Sequence, residues 1–195
     1  MLTSITPLGE WGRRRRWSLT TAWYLLGSTA GGAALGALAG IPALAVGQLS
    51  IPRALVVVGA LACAAAALSD ARGVRPKSWH RQVDETWLAR YRGWVVGGGF
   101  GVQLGFGVVT IVSSASVYAA LALAVLTGSF WGAIAIGTTF GFVRALPLLT
   151  VRRVRTTEAL AALYRRVAVI APKARAATVA VLAGGAIALV VAAAS

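Results

Sequence analysis

The sequence lacks most of what side-chain catalysis requires. It has one cysteine, Cys63, and one histidine, His80. A single cysteine excludes both a disulfide and a two-thiol relay within the chain. His80 has no second histidine and no cysteine beside it, so it reads as a surface residue rather than a metal ligand. Acidic residues number 5 against 19 Lys and Arg. No paired carboxylates, no nucleophile with an attendant base and no cluster of ligands can be picked out. No catalytic, cofactor-binding or metal-binding residue is therefore assigned, and the chain is not expected to be an enzyme.

Charge is scarce and one-sided, whereas apolar sequence is abundant. Hydrophobic residues make up 58% of the 195 residues and charged residues 12%, and mean hydropathy is +0.77. That is too apolar for an ordinary soluble domain and points to an integral membrane protein. On a soluble surface the net charge of +14 would suggest nucleic acid. Here all basic residues except Arg53 and Arg144 fall in three clusters: Arg13 to Arg16, Arg72 to Arg92, and Arg152 to Arg175. Each flanks an apolar stretch, the pattern of cytoplasmic loops, so the expected partner is a bilayer with anionic headgroups and not nucleic acid.

The central stretch runs from Arg90 to Tyr118. Gly93, Gly97, Gly101 and Gly105 recur every fourth residue, which on a helix makes one nearly flat face for close packing. Gln103, Thr110, Ser113, Ser114 and Ser116 then place polar groups deep in apolar sequence, where they must face protein or a wet cavity. No charged residue occurs from Gly93 to Leu126. As continuous helix this stretch would be about 51 Å long against a hydrocarbon core of roughly 30 Å. It must tilt or break, and Thr110 to Ser116 is the natural break, because serines can satisfy freed backbone groups.

Residues 1–12 are too few to cross a bilayer and are expected at the surface or re-entering partway. The apolar stretch from Trp17 to Gly40 is too long for a signal-peptide core and reads as a retained span. Gly32, Gly36 and Gly40 give it a second packing face. A short outer turn is expected in the proline-containing stretch from Ile41 to Arg53, followed by a span over about 51–70. The loop 71–92, with Asp70 at its edge and Asp84 and Glu85 among its basic residues, is expected to contain an amphipathic helix. Thr127, Gly128 and Ser129 mark an outer turn, after which 129–150 recrosses with Gly137 and Gly141 four apart. Arg144 near its inner end either snorkels to headgroups or contacts an anion at the inner mouth. Residues 151–174, with Leu160, Leu163, Val167 and Ile170 on one face, are expected to lie along the inner surface. A last span then begins at Arg175.

With all three basic clusters inside, this gives an all-α polytopic bundle in the cell membrane. It has five full spans, a short amino-terminal segment and the carboxyl end outside. The chain 1–195 forms one transmembrane domain. Its halves, 1–70 and 93–195, are joined by the cytoplasmic loop 71–92. Each half has a short Ser/Thr-containing segment (TSITPLGE, TIVSSASV), a glycine-rich span and a second span. Because the halves enter from opposite sides, this is an inverted repeat of the kind found in many transporters.

On the run Gly93 to Gly107 leading into TIVSSASVYAALALAVLTGS, on GAIAIGTTFGFVRALPLL at 132–149 and on TSITPLG at 3–9, the chain resembles the cytochrome c biogenesis transmembrane family. That family comprises CcdA and the membrane core of DsbD, within a superfamily of LysE-type exporters. The resemblance implies a bundle whose repeats each carry a cysteine beside proline, the pair passing electrons across the membrane. Here Thr6-Pro7 and Thr110 to Ser114 stand at those places without cysteine, so no relay is implied, and Cys63 lies in a different span.

Three functions remain open. One is transport of a neutral or anionic small solute through Gln103, Thr110, Ser113, Ser114, Ser116 and Arg144, with no acidic residue expected inside a span. Another is a non-catalytic membrane subunit or assembly factor, binding a membrane partner or a second copy through its glycine faces. The third is a CcdA-like accessory in cytochrome maturation without its own thiol relay.

Overall fold

The computed structural model describes residues 6–12, 16–49, 52–74, 90–107 and 114–194. All regular structure among them is helical. The elements are α1 (Pro7–Gly12), α2 (Trp17–Gly47), α3 (Pro52–Arg72), α4 (Gly93–Gly105), α5 (Ser116–Leu126), α6 (Phe130–Ala145), a 3₁₀ segment (Leu146–Arg153) and α7 (Thr157–Ala194). Four are long and apolar enough to cross a membrane: α2, α3, α6 with its 3₁₀ extension, and α7. Glycine-rich sequence stays helical in such a setting because hydrocarbon offers the backbone no alternative hydrogen-bond partner.

The bundle is built on α2, which is clasped on one side by α4 and on the other by α6. Gly97 lies against the carbonyl of Thr20, Gly101 against Tyr24 and Gly105 against Ser28. These contacts advance together, so α2 and α4 run parallel. On the other side Gly141 meets the Ser28 carbonyl, Gly137 meets Gly32 and Gly36 meets Ala133. Those advance in opposite senses, so α6 is antiparallel to α2. A methyl added at Gly36 would come within 2.5 Å of the Ala133 oxygen, closer than any real side chain approaches. Backbones this close give many dispersion contacts, which is how helices associate where no hydrophobic effect separates them from lipid.

Three expectations are corrected. The outer turn does not begin at Ile41, because α2 continues through Pro42 to Gly47. Pro42 removes one helical hydrogen bond, but continuing the helix buries Ala39 and Ala43 against Ala124 and Ala133 and sets Gly47 against Gly128. Asp70 is not a loop residue; it lies buried in the last turn of α3. Residues 151–174 do not form a segment separate from the last span. The chain turns after the 3₁₀ segment and then runs as one 38-residue helix through Pro172. Leu160 and Leu163 pack on the cluster of Tyr24, Val96, Phe100, Leu148 and Val151, whereas Val167 and Ile170 are exposed.

Helix ends follow local chemistry. Gly128 turns the chain with φ 63°, and Ser129 caps α6 by accepting the Gly132 N–H at 3.2 Å. At the carboxyl end of α3, Arg175 of α7 donates from Nε to the Asp70 carbonyl at 2.6 Å and from Nη2 to the Ala71 carbonyl at 3.3 Å. A cation at a helix carboxyl terminus also complements its dipole. Arg175 thereby fastens α7 to α3, its principal partner. At the other end of the chain, Thr6 caps α1 through the Gly9 N–H. Here Glu10 is fully buried, its Oε2 accepting the Thr20 hydroxyl at 2.7 Å.

Candidate functional site

The site forms where the central apolar stretch is interrupted. α4 follows α2 from Thr20 to Gly31, and α5 takes over beside Leu35, Gly36 and Ala39. Neither piece alone has the length of a span; placed end to end, they cover most of α2. Gly107, with φ 61°, ends the first piece in a conformation that favours glycine.

The second piece starts on a carboxylate. Asp70 Oδ1 accepts the Ala115 N–H at 2.8 Å and Oδ2 accepts the Ser114 hydroxyl at 2.6 Å. Ser114 Oγ in turn accepts the Ser116 N–H at 3.1 Å. Because the one Ser114 hydroxyl proton points at Asp70, Ser116 is the donor in the 2.7 Å contact between the two serines. Asp70, reaching over from α3, thus occupies the positive end of α5 and satisfies groups a helix start leaves open.

Beside this network lies a cavity of about 710 Å³ between the start of α5 and the second half of α6. Its polar lining is Ser114, Ser116, Thr139 and Arg144; Val117, Ile136, Phe140 and Val143 supply apolar wall. The Arg144 guanidinium sits over the Phe140 ring, 5.5 Å from its centroid. A cation on an aromatic face is held in place while it still presents donors. Chemically the cavity offers hydroxyl and guanidinium donors at one end and hydrocarbon at the other.

Of the residues singled out in the sequence, Ser114, Ser116 and Arg144 come together here. Gln103 is half-buried on α4 and is not part of the described lining. Thr110 and Ser113 lie outside the described residues, as do His80 and most of the loop 71–92. Gly97, Gly101 and Gly105 face α2 within the chain, as do Gly137 and Gly141 from the other side; Gly32 and Gly36 receive α6, Gly40 meets the Phe130 ring, and Gly93 is half-buried at the start of α4. The sequence reading missed Asp70, Glu10 and Thr139. For Asp70 and Glu10 a signal existed, since each is a lone acid next to apolar sequence, too costly to bury without partners. Among the described residues no group of three or more His, Cys, Asp or Glu could hold a metal ion.

No family model matches the chain, and no solved structure matches it. It is similar to the methylamine utilization protein MauF of Paracoccus versutus, with 35% identity over 125 residues, covering 64% of this chain and 45% of that protein. The chain thus spans less than half the length of this relative.

Proposed function

We propose that this chain is a multi-pass membrane protein acting as a non-catalytic accessory subunit or assembly factor. The observation that carries the reading is the pair of glycine seams on α2. They leave no room for a methyl group between α2 and α4, or between α2 and α6, at the contact positions, which favours a rigid scaffold over a passage along α2. Similarity to a methylamine utilization protein supports an accessory part in methylamine utilization. The likeness to the CcdA and DsbD family points the same way, to help in maturing a redox protein without a thiol relay of its own.

In this reading α4 and α5 form one broken span, making five, with the basic residues inside and the carboxyl end outside. An inverted repeat of 1–70 and 93–195 has support in two pairings. The α2 and α6 contact is reciprocal, a side chain at Gly32 striking Gly137 and one at Gly137 striking Gly32. Their successors α3 and α7 also pair.

The test is affinity purification from native membranes. Because Gly97 and Gly101 pack inside the chain, the informative change is on α7, where Gly184 has open space around it and Ala188 is exposed. Gly184→Leu with Ala188→Leu should abolish co-purification of a protein partner while leaving insertion intact. Absence of any stoichiometric partner for the unaltered chain would end the accessory reading.

A second reading, transport of a neutral or anionic small solute, is favoured by the 710 Å³ cavity with Arg144, Ser114 and Ser116 on its wall. Ser114→Leu should then abolish flux in liposomes. Undiminished flux would remove the cavity from the path.

A further inference from the structure

A second cavity, separate from the α5 and α6 site, opens where the parallel helices α2 and α4 begin. It has a volume of about 450 Å³, and its lining includes Arg16, Arg90 and Arg92, together with Thr20, Tyr91 and Trp94. We propose that it is a specific site for the headgroup of an anionic phospholipid.

Charge is the first argument. Three arginines line one small volume, and guanidinium binds phosphate through paired, charge-assisted hydrogen bonds. Because α2 and α4 run parallel, both present their positive ends to this cavity. Arg16 and Arg92 are the cap residues of those helices, and neither makes a side-chain cap. Among the described residues the acid beside this lining is Glu10, which is buried and accepts the Thr20 hydroxyl.

The surroundings decide between a lipid and a free anion. Tyr91 and Trp94 are half exposed, as amphipathic aromatics are at a membrane–water boundary. Trp94 lies 6.0 Å from Trp23 of α2, ring centre to ring centre. From the cavity an apolar track runs up the outside of α2 through Leu19, Trp23 and Leu26, all exposed and one helical turn apart. A free phosphate has no use for that track, whereas acyl chains attached to a phosphate would follow it. Basic pockets between spanning helices are known places for anionic headgroups.

The protein, purified in mild detergent and stripped of lipid, is offered cardiolipin, phosphatidylglycerol, phosphatidylcholine or inorganic phosphate, and retention is read by native mass spectrometry. The unaltered protein should retain cardiolipin and phosphatidylglycerol on the order of tenfold better than phosphatidylcholine. Arg90→Gln with Arg92→Gln should bring the anionic lipids down to the phosphatidylcholine level. Arg165→Gln with Arg166→Gln removes the same charge from exposed positions on α7 and should leave retention within about twofold. Equal losses from the two double variants would reduce the effect to general attraction and overturn the site. Retention of phosphate as strong as that of lipid would assign the cavity to a free anion instead. Should the cavity variant fold poorly, heat stability of the unaltered protein decides. It must rise with cardiolipin and not with phosphatidylcholine, and a rise with both would refute the proposal.

Discussion

The hydroxyl of Ser28 donates a 2.6 Å hydrogen bond to the carbonyl of Gly141, joining α2 to α6 at one end of the stretch where their backbones touch. The same residue's carbonyl receives Gly105 of α4. Ser28 therefore sits at the meeting point of three helices, and its small size matters as much as its polarity. Ser28→Ala keeps the size and loses the bond, for an expected cost of about 1 kcal/mol. Ser28→Leu should prevent assembly altogether. Unfolding in mild detergent separates the two, and an equal loss for both would show that the bond, not the space, is what counts.

Glycines at the seams and glycines on α7 should behave oppositely. Gly137→Ala drives a methyl into the Gly32 carbonyl and within 2.7 Å of the Gly36 Cα, so a loss of about 1–3 kcal/mol is expected. Gly184→Ala and Gly185→Ala meet open space and should be neutral or stabilise the helix by up to about 1 kcal/mol. Thermal unfolding of the three variants checks the order, which a uniform response would contradict.

Asp70 and Ser114 should be energetically coupled. Removing either leaves part of the α5 start unsatisfied, at about 1–3 kcal/mol for Asp70→Ala. A double-mutant cycle with Ser114→Ala should give a coupling of at least about 0.5 kcal/mol. Hydrogen exchange should rise first at Ala115 and Ser116. Additive effects with unchanged exchange would mean that α5 is held by packing alone.

Cys63 is buried on α3, the helix that Arg175 ties to α7. A maleimide should label it slowly in the native protein, and Arg175→Ala should speed the reaction by letting α3 and α7 part locally. Rapid labelling of the unaltered protein would show that this face of α3 opens without the arginine being disturbed.

Much of the helical order could be read from the sequence, because the four-residue recurrence of Gly97, Gly101 and Gly105, or of Gly137 and Gly141, leaves a mark in one dimension. The partner of each face could not, since Gly32 could have met any small face of similar spacing. The proline of the first outer turn misled for a physical reason. Pro42 suggests a break by the rules of water, where a helix interrupted by proline has solvent to fall back on, and in these surroundings the helix continues. Asp70 was misplaced because a charged residue at the end of an apolar run usually marks water. Its actual role depends on Ser114 and Ala115, more than forty positions away along the chain. The cavity at Arg144 was legible only in part, since Thr139 has nothing in its local sequence to distinguish it from Thr138, which bonds back to the Ile134 carbonyl.

The pairing of helices also bears on how the protein comes into being. α3 emerges directly after α2, yet its principal partner is α7, the last helix of the sequence, while α2 must wait for α4 and α6. During synthesis two helices therefore enter the bilayer with their best contact surfaces bare. The bundle closes in steps, α2 onto α4 and then onto α6, and α3 alone stays without its principal partner until the last helix is made. The wait of α3, rather than that of α2, is what an insertion chaperone would have to cover.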